Sequence, residues 1–150
     1  MSGEQETILL VEDDSNDIML IKRAFHKAQI NARLETITDG DQAVAYLSHQ
    51  PPYDNRDRYP LPVLILLDLK LPRRSGLEVL AWLRQQPEIK RTLVIVLSSS
   101  KESPDIDKAY DLGINSYLVK PVTFEDLVEL MNQVHKYWFN FNQRPGLLNK

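Results

Sequence analysis

Carboxylates stand at the ends of two of the most apolar stretches of the chain. Ile8-Leu9-Leu10-Val11 hands over to Glu12-Asp13-Asp14, and Val63-Leu64-Ile65-Leu66-Leu67 ends at Asp68. Runs this apolar read as strands buried on both faces, the pattern of a parallel sheet. In an open parallel sheet, ligands bind beyond the carboxyl ends of the strands. Carboxylates gathered there repel one another unless a cation joins them or one takes up a proton. Two other groups reach the same edge: Ser98 closes the run Leu93-Val94-Ile95-Val96-Leu97, and Lys120 follows Ser116-Tyr117-Leu118-Val119. Acids to hold a divalent ion, one acid to react, a hydroxyl and a fixed ammonium form a set suited to phosphoryl transfer. An aspartate can itself be the nucleophile and carry an aspartyl phosphate. Mg²⁺, or Mn²⁺ in its place, fits such oxygen ligands and accepts a phosphate oxygen beside them.

Apolar runs alternate with helical patterns from end to end, which predicts an α/β fold built on a parallel sheet. A first strand covers about Thr7 to Glu12. Asp14 or Ser15 then caps a helix with Ile18, Ile21, Phe25 and Ala28 inward. Leu34 to Thr38 alternates and reads as a strand near an edge. Asp39-Gly40 leads into a short helix holding Ala43, Val44 and Leu47. After the third strand, Val63 to Asp68, Ser75 opens a helix with Leu77, Leu80, Ala81 and Leu83 inward. Leu93 to Leu97 is the fourth strand, and a weaker helix from Ser103 to Leu112 ends at Gly113. Ser116 to Val119 is the fifth, running into Lys120-Pro121. Thr123 caps a last helix with Phe124, Leu127, Val128, Met131, Val134 and Trp138 inward. Gln50 to Pro62, with four prolines and four charged residues, reads as a long loop, and Asn140 to Lys150 as a tail.

Bulk properties narrow the function classes. The 150 residues show no composition break and read as a single domain, 1–150, with a core of about 7–138 and an aromatic extension over 137–150. A net charge of −3 without a basic stripe argues against a nucleic-acid partner. With no cysteine, disulfides and thiolate metal sites are excluded. The start, Met1 to Glu6, is polar and unlike a signal peptide, and no stretch is apolar enough to span a bilayer. The expectation is a soluble cytoplasmic protein with no membrane partner. His26, His49 and His135 lack ligand spacing, and Trp82 and Trp138 read as packing residues.

From about Ile8 to His135 the chain resembles the receiver domain of bacterial two-component response regulators. The likeness rests on Val11-Glu12-Asp13-Asp14, Leu67-Asp68-Leu69-Lys70-Leu71-Pro72 with Gly76, Leu97-Ser98, and Gly113 through Pro121, in order and at family spacing. It implies a flavodoxin-like, doubly wound, five-stranded sheet in the order 2-1-3-4-5. It also implies a phosphoacceptor signalling protein rather than an enzyme acting on other substrates. Asp68 would accept phosphate from a histidine kinase. Glu12 and Asp13 match the acidic metal pair, and the backbone carbonyl of Lys70 would complete the protein ligands with Asp68. Ser98 matches the switch hydroxyl, Tyr117 the switch aromatic and Lys120 the phosphate-contacting lysine. The bond before Pro121 is cis in the family, which would aim Lys120 into the site. Three residues depart from the commoner pattern: Glu12 stands in place of Asp, Ser98 in place of Thr, and Lys70 flanks the path of hydrolytic water.

Within the family, the insertion Gln50 to Pro62, the Leu-Asp-Leu-Lys-Leu-Pro segment and the aromatic extension resemble the small stand-alone regulators encoded with cyanobacterial phytochromes. That likeness implies a phytochrome as the kinase and leaves the downstream protein open. Tyr137-Trp138-Phe139-Asn140-Phe141 places four aromatics among five residues, from which a homodimer on the face of the fourth and fifth helices is expected. Other classes fit less well. A haloacid-dehalogenase-type phosphatase needs a second Asp where Lys70 stands, and a flavin binder needs a phosphate-cradling loop where Glu12-Asp13-Asp14 would repel phosphate. A pseudo-receiver scaffold that takes no phosphate would not need every reactive position filled.

Overall fold

The apolar runs become strands and the periodic segments become helices in strict alternation. The computed structural model describes residues 5–143 together with Pro145 and Gly146. In chain order the elements are β1 (Thr7–Val11), α1 (Ser15–Lys27), β2 (Arg33–Ile37), α2 (Gly40–Leu47), β3 (Leu64–Leu67), α3 (Gly76–Leu83), β4 (Leu93–Ser98), α4 (Ser103–Asp111), β5 (Ser116–Val119) and α5 (Phe124–His135). All strand pairings are parallel, and the sheet order is β2-β1-β3-β4-β5, as the family likeness implies.

Successive side chains of a strand point to opposite faces, and the core divides accordingly. Leu9, Val11, Ile65, Leu67, Val94 and Val96 face the layer of α2, α3 and α4. Ile8, Leu10, Leu64, Leu66, Ile95 and Leu97 face α1 and α5. Burying each such side chain contributes about 1.5–3 kcal/mol, and the central strands have no solvated face. The expected caps form: Asp14, Asp39, Ser75 and Thr123 each accept from backbone N–H groups of the following turn. Ser75 and Glu78 make a reciprocal capping box. Gly113, just past α4, has φ +95°, the left-handed conformation that glycine reaches without a Cβ penalty.

Helix phase differs in detail from the sequence reading. On α3 the buried stripe is Gly76, Val79, Leu80 and Leu83, and the expected Leu77 and Ala81 lie on its flank, half-buried. Gly76 sets that phase, because it must press against the backbone after β3. On α1, Ile21, Ala24 and Phe25 are buried while Ile18 and Ala28 are half-buried. On α2 the fully buried Tyr46 takes the place expected for Val44. Tyr46 is covered by the 50–62 segment, which folds back on it. Its hydroxyl donates to the Pro60 carbonyl at 2.8 Å, and the Tyr53 and Tyr59 rings pack on it at 5.4 and 5.8 Å.

Two other expectations are corrected. The Lys120–Pro121 bond is trans, and among the described residues the cis bond lies at Pro51–Pro52. Trans is the default for an X–Pro bond by about 0.5–1 kcal/mol, and with it the Lys120 ammonium already reaches three carboxylates. The tail expected from Asn140 is helical to Phe141, because α5 runs on into a π-helical stretch, Lys136–Phe141. There Trp138 and Phe139 cover the α1–α5 core, while Tyr137 and Phe141 are exposed. Met1 to Glu4, Arg144 and the last four positions lie outside the described residues. Among the described residues no helix is long and apolar enough to cross a membrane.

Candidate phosphoacceptor site

Strand register assembles the site. Val11 pairs with Leu67, so Glu12 and Asp68 emerge side by side, and the Asp68 N–H donates to the Val11 carbonyl at 3.0 Å. Ser98 pairs with Val119, which puts Lys120 one residue beyond it, with the Lys120 N–H on the Ser98 carbonyl at 2.8 Å. Four residues separated by up to 108 positions thus share one sheet edge.

The Lys120 ammonium is the hub. It donates to Glu12 Oε1 at 2.6 Å, Asp17 Oδ2 at 2.8 Å and Asp68 Oδ2 at 3.2 Å. Glu12 is buried, and its other oxygen accepts the Asp14 N–H at 3.1 Å. Asp13 is exposed, and Asp14 serves as the cap of α1. Burial, reinforced by the neighbouring Asp68 charge, pushes the Glu12 carboxyl up from 4.5 to about 7, although Lys120 and the Asp14 N–H pull the other way. Burial acts to lower the Lys120 ammonium, but its bonds to Asp17 and Glu12 and the Asp68 charge outweigh it and hold the group above its ordinary value. The lysine is therefore a permanent cation among acids.

Glu12, Asp13 and Asp68 each offer an oxygen, with all three atoms within 4.8 Å of one another. Three hard carboxylate donors, one of them open to solvent, suit Mg²⁺ or Mn²⁺ and not a soft metal. Behind Asp68 the 69–75 loop folds back so that Gly76, at the start of α3, presses on the strand end. A Cβ on Gly76 would stand 2.2 Å from the Asp68 carbonyl oxygen, so only glycine permits this approach. The Lys70 N–H lies 3.5 Å from Asp68 Oδ1, at the limit of a hydrogen bond, and its side chain is exposed.

Ser98 and Tyr117 form a second, linked group. The buried Ser98 Oγ accepts the Ser100 N–H at 3.1 Å, and the half-buried Tyr117 hydroxyl donates to the Ser100 carbonyl at 3.0 Å. The Ser100 hydroxyl in turn donates to Asp105 of α4 at 2.6 Å. Asp17, which bonds Lys120, and Ser100 and Asp105, which bond this second group, are not among the residues expected from the sequence. Asp17 stands three residues after the cap Asp14, where an acid is already explained by the partial positive charge of a helix start. Only the tertiary fold shows that it meets Lys120. A cavity of about 640 Å³ lies at the opposite sheet edge, lined by Glu6, Val63, Leu93 and Phe139 among others, far from these acids.

Comparison with known proteins identifies the family. The "Response regulator receiver domain" family matches residues 8–132. Response regulator Rcp1 of Synechocystis is 38% identical over 145 residues, covering 97% of each chain. The probable methanogenesis regulatory protein FilR2 of Methanothrix harundinacea is 39% identical over 139 residues, covering 93% of this chain and 87% of FilR2. In three dimensions, the phosphorylated cyanobacterial phytochrome response regulator RcpA superposes with a TM-score of 0.87 at 36% identity, covering 95% of this chain and all of RcpA. The Mn²⁺-bound form of Rcp1 gives 0.83 at 36% identity, covering 94% of this chain and 99% of the other. The sheet order, the register-built cluster of acids and the match over most of its length establish that this chain belongs to the response regulator receiver domain family.

Proposed function

We propose that the chain accepts a phosphoryl group on Asp68 from the phosphohistidine of a histidine kinase and signals through the resulting change at its surface. The observation that supports this most is the Lys120 ammonium, 3.2 Å from an Asp68 oxygen in a cluster of three convergent carboxylates. In the transfer, an Asp68 oxygen forms a bond to phosphorus as the bond from phosphorus to the kinase imidazole nitrogen breaks. The electron pair leaves with that nitrogen, which later takes a proton from solvent. Asp68 is held for attack by its backbone bond to β1 and by Gly76 behind it. Lys120 pairs with the oxygens of the arriving group, charge stabilisation that a semi-buried site makes more effective. Glu12, Asp13, Asp68 and the Lys70 carbonyl would hold Mg²⁺ or Mn²⁺, which when bound offsets charge on the phosphoryl oxygens.

The Ser98 hydroxyl is the group expected to turn toward a phosphoryl oxygen, releasing the Ser100 N–H that it now accepts. That movement would unsettle the Tyr117 hydroxyl bond to Ser100 and the start of α4. Likeness to Rcp1 and RcpA supports a phytochrome as the kinase, and likeness to FilR2 makes other histidine kinases the necessary comparison. A homodimer on the α4 to α5 face is supported by the exposed Tyr110, Tyr137 and Phe141.

The test is transfer from purified phosphorylated histidine kinases, a phytochrome kinase among them, with Mg²⁺ present. The expected product is an acid-stable, base-labile phosphoprotein formed fastest with the cognate kinase and absent in Asp68→Asn. Equal labelling of that variant would overturn the assignment.

A further inference from the structure

An ammonium has three N–H donors, and Lys120 spends all three on carboxylates. A phosphoryl group on Asp68 would bring further acceptor oxygens to an ammonium with nothing left to donate. One existing bond must then be exchanged. The Glu12 bond is the shortest at 2.6 Å, and that side chain is 2% exposed, so releasing it would leave a polar group away from water with the Asp14 N–H as its remaining partner. Asp68 is the point of attachment itself. Asp17 differs from both: its side chain is 32% exposed, and it stands outside the Glu12-Asp13-Asp68 cluster. Water can replace Lys120 on Asp17 at small cost. Asp17 is therefore the partner that yields.

We propose that Asp17 is a positioning residue that holds Lys120 in a resting arrangement and restrains phosphorylation of Asp68. This rests on Asp68 being the phosphoacceptor. Two effects act in the same direction. Asp17 competes with phosphoryl oxygens for an N–H of Lys120, and it adds a fourth carboxylate charge that an anionic donor must approach. Its place on α1 fits that role. The first turn of α1 follows directly on the strand-end acids and is anchored by Asp14, whose carboxylate accepts the Asn16 and Asp17 N–H groups at 2.9 and 3.1 Å. The Asp17 backbone is thus fixed, while its carboxylate stays open to solvent and bonds Lys120.

The test uses the full chain, acetyl phosphate as donor and Mg²⁺, with initial rates of Asp68 labelling as the readout. Asp17→Asn and Asp17→Ser should both be phosphorylated faster than wild type, by about threefold to fivefold at low salt. The advantage should shrink as salt rises, because it is a charge effect at a partly exposed site. Asp17→Glu, which restores the charge, should return toward the wild-type rate. The Mg²⁺ concentration giving half the maximal rate should stay within about twofold of wild type, since Asp17 is not among the clustered ligands. Rates that match wild type, or fall, in both neutral variants would overturn the inference and make Asp17 an aligning or inert group. A wild type that takes no label on Asp68 would instead refute the proposed function.

Discussion

Raising the pH of the metal-free protein should expose the cost of ionising Glu12. Its carboxyl is buried at the end of β1, beside Asp68. Burial carries it from 4.5 to about 7, a difference worth about 3 kcal/mol at about 1.4 kcal/mol per pH unit. Between those two values the folded chain keeps a proton that the unfolded chain has released. The unfolded state then binds fewer protons, so stability falls as pH rises through this window and levels off above about 7. The raised Lys120 ammonium acts elsewhere: its contribution is fully present below 10.5 and is lost only as pH climbs past that value. Other carboxylates titrate as well, so the quantity to follow is wild type minus Glu12→Gln. Urea unfolding with a chelator, from pH 4.5 to 8, should show that difference decline by about 2–3 kcal/mol. Saturating Mg²⁺ should remove the decline, because an ion at the cluster favours the carboxylate form. A difference that stays flat or rises with pH in chelator would refute the reasoning. Pairing with Lys120 would then outweigh burial.

Two other outcomes follow from packing. Gly76→Ala would drive a Cβ to 2.2 Å from the Asp68 carbonyl oxygen and 2.8 Å from the Leu69 Cα, both backbone atoms that cannot swing aside. It should cost about 2–4 kcal/mol in urea unfolding and slow Asp68 labelling, and an unchanged midpoint would show that α3 can shift freely. Truncation after Lys136 removes Trp138 and Phe139 from the α1–α5 core together with the exposed Tyr137 and Phe141. It should lower stability by about 2–4 kcal/mol and convert a dimer to a monomer in light scattering, whereas a full chain already monomeric at tens of micromolar would rule out the dimer.

What could be read from the sequence was what neighbouring residues decide. The buried strands announced themselves as unbroken Leu, Ile and Val runs, and Asp14, Asp39, Ser75 and Thr123 announced four helix starts. Parallel register then brought Glu12, Asp68 and Lys120 within hydrogen-bond reach without further information. Features set by distant contacts were not legible. Asp17 carries no local signal beyond that of a helix-start acid, and its bond to Lys120 is made across 103 positions. Tyr46 is absent from the core expected for its short helix, and the folded 50–62 segment is what covers it. Leu77 and Leu80 look equivalent in the sequence, and the glycine that fixes the rotation of α3 acts through the backbone. The tail is expected from Asn140, whereas the helix runs on to Phe141 as a π-helical stretch that nothing local in the sequence announces.

Strand alternation also explains why the site has two halves. Ile8 and Leu10 of β1, Leu64 and Leu66 of β3, and Leu118 of β5 face α1 and α5. Continued past the strand ends, the same phase carries Glu12, Asp68 and Lys120 toward that layer, where Asp17 of α1 waits. In β4 the phase is opposite. Val94 and Val96 face the α2 to α4 layer, and so does Tyr117 in β5. Ser98 continues that phase, and its Oγ meets the Ser100 N–H rather than the acids. The acids and ammonium thus gather on one side of the sheet edge, while Ser98, Ser100 and Tyr117 gather beside α4. Under the proposed function, a phosphoryl group on Asp68 stands between the two halves. A one-residue slip of β4 against β3 would turn Ser98 to the acid side and leave the α4 loop without its acceptor. The buried, two-faced strands make such a slip costly. The apolar runs that hold the sheet in register therefore also keep the chemistry apart from its readout.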